Sequence, residues 1–149
     1  MKTEHTTTPG LPDAQGWSAD MALGIPLFDE AHQALAEQIA HLQTRPDAEF
    51  AEGLEALIEA LEADFRVEER LMEAIDYPAL KGHREQHARV LATLHGLRGD
   101  TATGRHAVGL ILPWFHVHLA TADTALALAL QQSANLEAAT AAALNCGAI

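Results

Sequence analysis

The chain has 149 residues, the length of one domain, and its formal net charge of −12 makes nucleic acid and anionic membrane surfaces unfavourable partners. Hydrophobic residues make up 48% of the chain but aromatic residues only 5%, which favours helices around an aliphatic core. The nine histidines equal the lysines and arginines together, and in a small acidic protein this excess raises the expectation of metal binding.

The composition of the first 16 residues predicts an N-terminal arm that is not part of the folded domain. Residues 1–16 are polar and rich in Thr, Pro and Gly, so we expect a flexible arm before a domain of residues 17–132. "MKTEHTTTPG" has no signal-peptide apolar run, and no segment reaches the roughly 18 apolar residues of a membrane span. The single cysteine, Cys146, excludes an internal disulfide. A cytoplasmic location is therefore the default expectation. "GWSADMALGIP" then predicts an ordered loop that packs its apolar side chains onto the domain.

The next segments predict two helices. Apolar residues recur at steps of three, four or seven over about residues 27–43 and again from Asp47 to about residue 75. Asp47 is expected to cap the second helix, since a carboxylate there accepts from free backbone N–H groups. The "DYP" sequence is expected to stop that helix, because the residue before proline avoids the helical region.

Two further helices are predicted at about residues 79–98 and 103–132. Pro113 lies inside the fourth, so a kink or a restart is expected near residue 112. Short links between the four segments predict an all-α fold, an antiparallel up-down four-helix bundle. The Ala-rich tail of residues 133–149 predicts a short fifth helix, with Asn135 as its cap and Gly147 as its stop.

Histidines and acids lie at helical spacing in these segments. Positions i and i+4 are only about 40° apart around a helix, so His83 and His87 share a face of the third helix. Asp64 and Glu68 share a face of the second for the same reason. His32 lies between apolar neighbours in the first.

The fourth predicted helix carries polar residues in the apolar stretch "LPWFHVHLATADTALALAL". This stretch is too apolar to be a solvated face, so some of its ionisable groups must be buried and need partners. Asp123 lies about 140° from His118 on an ideal helix, so periodicity alone does not pair them. His116 is the alternative, because it shares a stripe with Asp123.

Each predicted helix therefore offers an inward-facing ligand. Four imidazoles and three carboxylates suit two carboxylate-bridged metal ions better than one, and this ligand chemistry favours iron or manganese. Taken singly, the features have simpler explanations. A lone histidine in a helix is more often a surface or satisfied core residue, and the Asp64–Glu68 pair is typical of a solvated acidic face.

The order and spacing of the motifs resemble the hemerythrin family, and especially its single-domain bacterial members. "GIPLFDEAHQAL" is similar to the family's first helix and "DFRVEERLM" to its H-F-x-x-E-E-x-x-M. "YPALKGHREQH" is similar to Y-P followed by H-x-x-x-H, and "WFHVHLATAD" to W-x-x-x-H-x-x-x-x-D. The similarity covers about residues 17–130. It implies an O2-binding bundle with two non-haem iron ions, oxo- or hydroxo-bridged when ferric.

Six of the family's seven ligand positions are matched here: His32, Glu68, His83, His87, His118 and Asp123. The resemblance implies that the two acids bridge the irons and that the three later histidines complete one iron. His32 would bind the other iron, which takes up O2 in the family. The family spacing favours His118 over His116, because His118 follows Trp114 as the pattern requires. The remaining histidines are expected outside the site: His5, His41, His95 and His106.

Asp64 occupies the seventh position, where the family has a histidine. Aspartate can still ligate, but it is shorter and brings a negative charge. Two ferrous ions with three carboxylates keep one positive charge, against two with the family's two carboxylates, so the ferric state is favoured. Peroxide reduction, faster autoxidation or a site lacking one iron is therefore an alternative to stable O2 carriage.

Five apolar residues flank the ligand positions and predict a dry pocket: Leu35, Phe65, Trp114, Phe115 and Leu119. Poor proton delivery to such a pocket slows the loss of bound O2 as superoxide or peroxide. Three functions stay open: O2 storage, delivery or sensing, a di-iron peroxidase or oxidase, and an interaction bundle without iron. The expected ligand is O2 or peroxide, with no nucleic-acid or membrane partner. A sensor would need a separate protein partner, which the sequence does not identify.

Overall fold

A computed structural model describes residues 16–97, 99–133, 141 and 143–145. All regular structure in these residues is helical, which confirms the predicted all-α class. A 3-10 turn at Ala19–Met21 precedes the bundle. The longer elements are α1 (Pro26–Leu42), α2 (Asp47–Ala74), α3 (Leu80–His95), α4 (Thr101–His118), a π-helical turn (Leu119–Asp123) and α5 (Thr124–Gln132).

The helices form a bundle of four rods. The fourth rod consists of α4, the π-helical turn and α5, which follow one another without a break. Both α1 and α3 pack against α2 and α4. The links at residues 43–46, 75–79 and 96–100 are short, so each rod runs antiparallel to the one before it.

The helix ends follow local chemistry. Pro26 is the first residue of α1, where its missing N–H costs nothing. The Asp29 carboxylate accepts the N–H groups of Leu23 and Gly24 at 2.6 and 3.1 Å, which fixes the preceding loop. At the start of α4, the Asp100 carboxylate accepts the Ala102 N–H at 3.2 Å, so this helix begins two residues earlier than predicted.

The prediction that Asp47 caps α2 is wrong. Pro46 is the capping residue, and Asp47 is the first residue of the helix. Its carboxylate instead accepts hydrogen bonds from Nε and Nη2 of Arg105 at 3.0 and 2.9 Å, which ties the start of α2 to α4. α3 also ends earlier than predicted, at His95, where Gly96 follows as C-cap.

The fourth rod passes through Pro113 as an α-helix, so the predicted restart near residue 112 is wrong. The departure from α-helical geometry lies further along, in the π-helical turn. There the N–H and the hydroxyl of Thr124 both donate to the Leu119 carbonyl, the hydroxyl at 2.7 Å. This i to i+5 bonding accommodates one extra residue in the turn.

Apolar side chains form two buried clusters in the bundle. The larger cluster is aliphatic with a few phenylalanines, as predicted, and includes Leu57, Leu61, Leu94, Val108 and Phe115. The smaller cluster lies toward the other end and includes Phe28, Leu71, Met72, Leu126 and Leu130.

The loop before α1 packs Trp17, Met21 and Leu23 against the larger cluster, which confirms its predicted role. In the tail, residues 141 and 143–145 are helical and Ala143 is buried in the smaller cluster. The predicted cap Asn135, the predicted stop Gly147, Cys146 and residues 1–15 lie outside the described residues. Within the described part of the chain, no helix combines the length and apolarity that a bilayer crossing requires.

Candidate metal centre

Seven ionisable side chains from all four rods meet between the two apolar clusters. Each is at most 9% exposed: His32, Asp64, Glu68, His83, His87, His118 and Asp123. These are the seven residues that the sequence predicts as metal ligands.

The local sequence explains why these polar groups are sealed from water. On α1, His32 follows Phe28 of the smaller cluster and precedes Leu35 of the larger one. On α2, Glu68 lies between Phe65 of the larger cluster and Leu71 of the smaller one. A layer of apolar side chains therefore closes the polar site at each end of the bundle.

The candidate ligands divide into two groups, in each of which the donor atoms lie within 4.8 Å of one another. The three-histidine group contains Glu68, His83, His87, His118 and Asp123. The His32–Asp64 group contains His32, Asp64 and Glu68, so Glu68 belongs to both.

Glu68 directs one carboxylate oxygen toward each group. Its Oε1 lies 3.4 Å from His32 Nε2, and its Oε2 lies 3.3 Å from His87 Nε2. Asp123 is placed in the same way, with Oδ2 3.7 Å from His32 Nε2 and Oδ1 3.1 Å from His83 Nε2. Two carboxylates that each face His32 with one oxygen and the three-histidine group with the other have the arrangement of bridging ligands.

The π-helical turn brings Asp123 to this position. On a continuous α-helix, residues five apart point about 140° away from each other. The extra residue in the turn brings i and i+5 onto one face, and His118 Nε2 lies 3.3 Å from Asp123 Oδ1. Periodicity could not pair these residues, and only the family resemblance did.

The buried polar atoms of the site have few hydrogen-bond partners within the described residues. Both oxygens of Glu68, both of Asp123 and both nitrogens of His32 are buried without a hydrogen bond. His87 Nε2 and His118 Nε2 face each other at 3.3 Å. Unsatisfied buried groups are costly. A cation would satisfy them together, and imidazole and carboxylate donors fit iron or manganese.

Proton equilibria also show that the buried carboxylates favour positive charge on their neighbours. Burial lowers the pKa of His32, but the adjacent Glu68 carboxylate, together with Asp64 and Asp123, outweighs burial and raises the pKa to about 9. Burial also lowers the pKa of His83, but the Asp123 and Glu68 carboxylates outweigh burial and raise this pKa to about 9. Protons on these imidazoles stand in for metal charge, so metal binding must displace them.

The carboxylates respond in opposite directions. Burial and then the neighbouring Glu68 raise the pKa of Asp64 well above its usual range. Burial also opposes ionisation of Glu68, but its contacts with His32, His83 and His87 hold its pKa well below the usual range. The surroundings therefore favour the ionised form of Glu68 and the protonated form of Asp64.

Gln86 is not among the seven candidate ligands, but it orients the ring of one of them, and sequence reasoning missed it. The His118 Nδ1–H donates to Gln86 Oε1 at 2.9 Å, which leaves the Nε2 lone pair free to bind a metal. His87 Nδ1 lies 3.6 Å from Glu69 Oε1, beyond hydrogen-bond distance. Nothing in the sequence signals that Gln86, next to His87, reaches a histidine of another rod.

The predicted apolar lining lies around the site. Leu35, Phe65, Phe115 and Leu119 are buried in the larger cluster, and Trp114 is half-buried against it. The Phe65 ring stacks on His87 with centroids 3.8 Å apart, and Trp114 stacks on His118 at 4.8 Å.

Other rings near the site include one that the sequence did not predict. Phe115 packs edge-on to His32 at 5.8 Å, and Phe28 lies 5.6 Å from the same ring. His116 lies outside the cluster, with Nε2 3.5 Å from the Gly16 carbonyl. His41 and His95 are exposed, and His95 pairs with Glu62 at 2.9 Å.

Comparison with known proteins agrees with this geometry. The family described as Hemerythrin HHE cation binding domain matches residues 23–130. The chain is 34% identical over 112 residues to a bacteriohemerythrin of Ralstonia nicotianae, covering 72% of this chain and 82% of that protein. It is 27% identical over 125 residues to a bacteriohemerythrin of Pseudomonas aeruginosa, covering 78% and 82%.

A myohemerythrin of Theromyzon tessulatum is 25% identical over 113 residues, which cover 76% of this chain and 91% of that protein. No solved structure gives a significant match. The family match spans more than half of the chain and contains all seven clustered residues. The chain therefore belongs to the hemerythrin family.

Proposed function

We propose that this chain is a non-haem di-iron protein that binds O2 for storage, delivery or sensing. The observation that carries the proposal is the placement of Glu68 and Asp123, each with one oxygen toward His32 and the other toward the three-histidine group. Relatives named bacteriohemerythrin and myohemerythrin support it. When bound, a pair of ferrous ions supplies two electrons for the reversible binding of O2.

The two groups have different tasks in this proposal. His83, His87 and His118 would hold one ion through three imidazoles. His32 and Asp64 would hold the other with fewer protein donors, which would leave room for a small ligand. Glu68 and Asp123 would be shared between the two.

The apolar layers on either side protect the bound ligand. Phe28, Phe115 and Leu35 surround His32 or lie one turn from it, and all three are buried. Such a lining keeps water and protons away, so a reduced oxygen species is not readily released.

A di-iron peroxidase or oxidase is the second candidate, and Asp64 favours it. Asp64 Oδ2 lies 3.6 Å from His32 Nε2, so its carboxylate can bind the same ion as His32. A third carboxylate near the ions stabilises higher positive charge and hence the ferric state. Faster autoxidation follows from this, and it would weaken carriage.

Metal analysis tests both candidates against a bundle without iron. Protein produced with ample iron should hold two irons per chain and show the visible bands of an oxo-bridged ferric pair. His87→Ala should lose both signals, whereas His41→Ala, on an exposed site of α1, should keep them. Fewer than two irons together with no such bands would refute the di-iron proposal.

Cycles of O2 addition and removal then separate carriage from oxidation. Reduced protein that returns to the deoxy spectrum after O2 is removed is a carrier. Protein that ends in the ferric state after each cycle is an oxidase or peroxidase.

A further inference from the structure

A groove between α1 and α2 opens on one side of the cluster. Its cavity has a volume of about 370 Å³ and is lined mainly by apolar residues of the two helices. Asp64 is part of this lining, together with Phe28 and Leu35, which lie one turn either side of His32. The groove therefore ends at the His32–Asp64 group.

Exposure identifies this groove as the point where the cluster meets its surroundings. Asp64 is 9% exposed, whereas the other six cluster residues are at most 4% exposed. The Asp64 carboxylate lies 3.6 Å from His32 Nε2, the nitrogen that points into the cluster. A molecule in the groove that passes Asp64 thus arrives beside His32, and the three-histidine group lies deeper.

Small side chains create the groove. Two alanines of α1, Ala31 and Ala34, and two of α2, Ala60 and Ala63, form part of its lining. A leucine at any of these positions would extend into the space that is now open. The groove is therefore bordered by methyl groups near Asp64.

The lining selects by charge. Gln38 and Asp64 are its polar residues, and the others are apolar. An anion would lose its hydration in such a groove without gaining partners, which is costly, whereas a small uncharged molecule loses little. The volume is several times the roughly 30 Å³ that one water occupies in the liquid, so a diatomic or four-atom molecule fits.

We infer that the α1–α2 groove is the route by which a small uncharged oxidant, dioxygen or undissociated hydrogen peroxide, reaches the His32–Asp64 group. This inference rests on the proposed function, because it names the side from which that site is supplied. Ala63 is an exposed lining residue next to Asp64 in the chain, so a larger side chain there would narrow the groove near Asp64.

Ala63→Leu tests the route in the iron-loaded protein. We expect the rate of combination with O2, measured by rapid mixing of the reduced protein, to fall about tenfold, because the added side chain must move aside for each passage. Mixing with hydrogen peroxide should show a similar decrease if both oxidants use the groove. Ala56→Leu, on an exposed site of α2 outside the groove, is the matched control and should leave both rates unchanged.

Iron content and thermal midpoint are measured for both variants. Full iron content with an unchanged O2 rate in Ala63→Leu would overturn the inference and leave the di-iron proposal intact. If Ala63→Leu does not fold, Ala31→Leu fills the groove from the opposite helix and is judged by the same rates.

A second measurement does not depend on iron. Dissolved O2 is paramagnetic and accelerates the relaxation of methyl protons that it contacts. In the full-length protein without iron, the Ala31 and Ala63 methyl groups, which line the groove, should show a larger O2-dependent relaxation than the Ala56 methyl group, which is exposed like Ala63 but lies outside the groove. Equal enhancements at the three methyl groups would refute the groove as an O2 route, whatever the metal content of the protein.

Discussion

The two halves of the cluster differ in how their ligands are held. In the three-histidine group, His118 is fixed by Gln86 on one edge and by the Trp114 ring on one face, and His87 stacks on Phe65. Within the described residues, His32 Nδ1 of the His32–Asp64 group has no hydrogen-bond partner, and neither has His87 Nδ1, so the ring held by an Nδ1 hydrogen bond is that of His118. Asp64 borders a groove that opens between two helices.

This difference shows how one bundle can combine a rigid and an accessible position. Rings that are hydrogen-bonded and stacked lose little freedom when they bind a metal, so the three-histidine half should bind more tightly. The other half has fewer protein donors and a path from outside. We therefore expect the three-histidine half to fill first and the His32–Asp64 half to exchange its metal and receive the ligand.

The largest effect on the two halves of the cluster is expected from removal of a candidate ligand that both halves share. Glu68→Gln keeps the size of the side chain but removes its charge, and each of its oxygens faces one half. We expect iron affinity to fall by more than about a hundredfold, the upper range for residues that only support a ligand. Iron content should drop below one per chain.

Iron analysis and the visible spectrum measure this loss. Glu59→Gln, at an exposed position of the same helix, is the control and should retain two irons. Retention of both irons by Glu68→Gln would show that this residue does not bridge the two halves.

The metal-free protein should lose stability as the pH rises from about 6.5 to 9. His32 and His83, one in each half, have folded pKa values of about 9, so the folded chain binds more protons than the unfolded chain in this window. Their contribution is fully present below pH 6.5 and is lost as the pH passes 9. Asp64, whose pKa is raised, acts in the same direction, because its ionisation also disfavours the fold.

Urea unfolding at pH 6.5, 7.5 and 9 measures this loss, which should amount to roughly a few kcal/mol. Glu68 does not add to this loss. Its pKa is lowered, so its stabilising contribution is fully present throughout this window and is lost only at acid pH, below its unfolded pKa. Iron-loaded protein should show little change. His32→Gln and His83→Gln should each reduce the slope, and an unchanged slope in both would contradict the linkage.

The sequence predicted the bundle because its signals are local. Apolar periodicity defined four rods, and the "DYP" stop agrees with α2 ending at Ala74, before Asp76 takes a positive φ of 51°. The restart expected at Pro113 is absent because a helix can absorb one missing hydrogen bond, and the π-helical turn further along contains no proline.

The candidate site was predictable only in part from periodicity. His83 and His87 pair at i and i+4 on one helix. Asp123 pairs with His118 through a π-helical turn that no periodicity reveals, so the family pattern was required. Gln86 and the α1–α2 groove depend on how separate rods pack, and such contacts leave no trace in the spacing of residues along one rod.

Gln86→Ala should reduce the difference in metal affinity between the two halves by weakening the three-histidine half. Without the Oε1 acceptor, His118 loses the hydrogen bond that orients its ring, and metal affinity of the three-histidine half should fall about 10- to 100-fold. Gln86→Glu should restore affinity, because a carboxylate accepts the same hydrogen bond. Gln33→Ala, an exposed glutamine of α1, is the control.

Metal titration followed by NMR of the His118 Nδ1–H measures both the affinity and the hydrogen bond. A merely structural role for Gln86 would lower thermal stability without moving this resonance or weakening the first metal equivalent. That result would remove the basis for expecting the three-histidine half to fill first.

Asp64→His changes the His32–Asp64 half and should have the smallest effect of the variants. It replaces an anionic ligand by a neutral one beside His32, so the ferric state is less favoured and autoxidation of the reduced protein should slow about tenfold. Asp64→Asn removes the charge without supplying an imidazole. Slower autoxidation in both variants would assign the effect to charge, and slower autoxidation in Asp64→His alone would assign it to ligation. Unchanged rates in both would mean that Asp64 does not influence the iron pair, and the oxidase candidate would lose the observation that favours it.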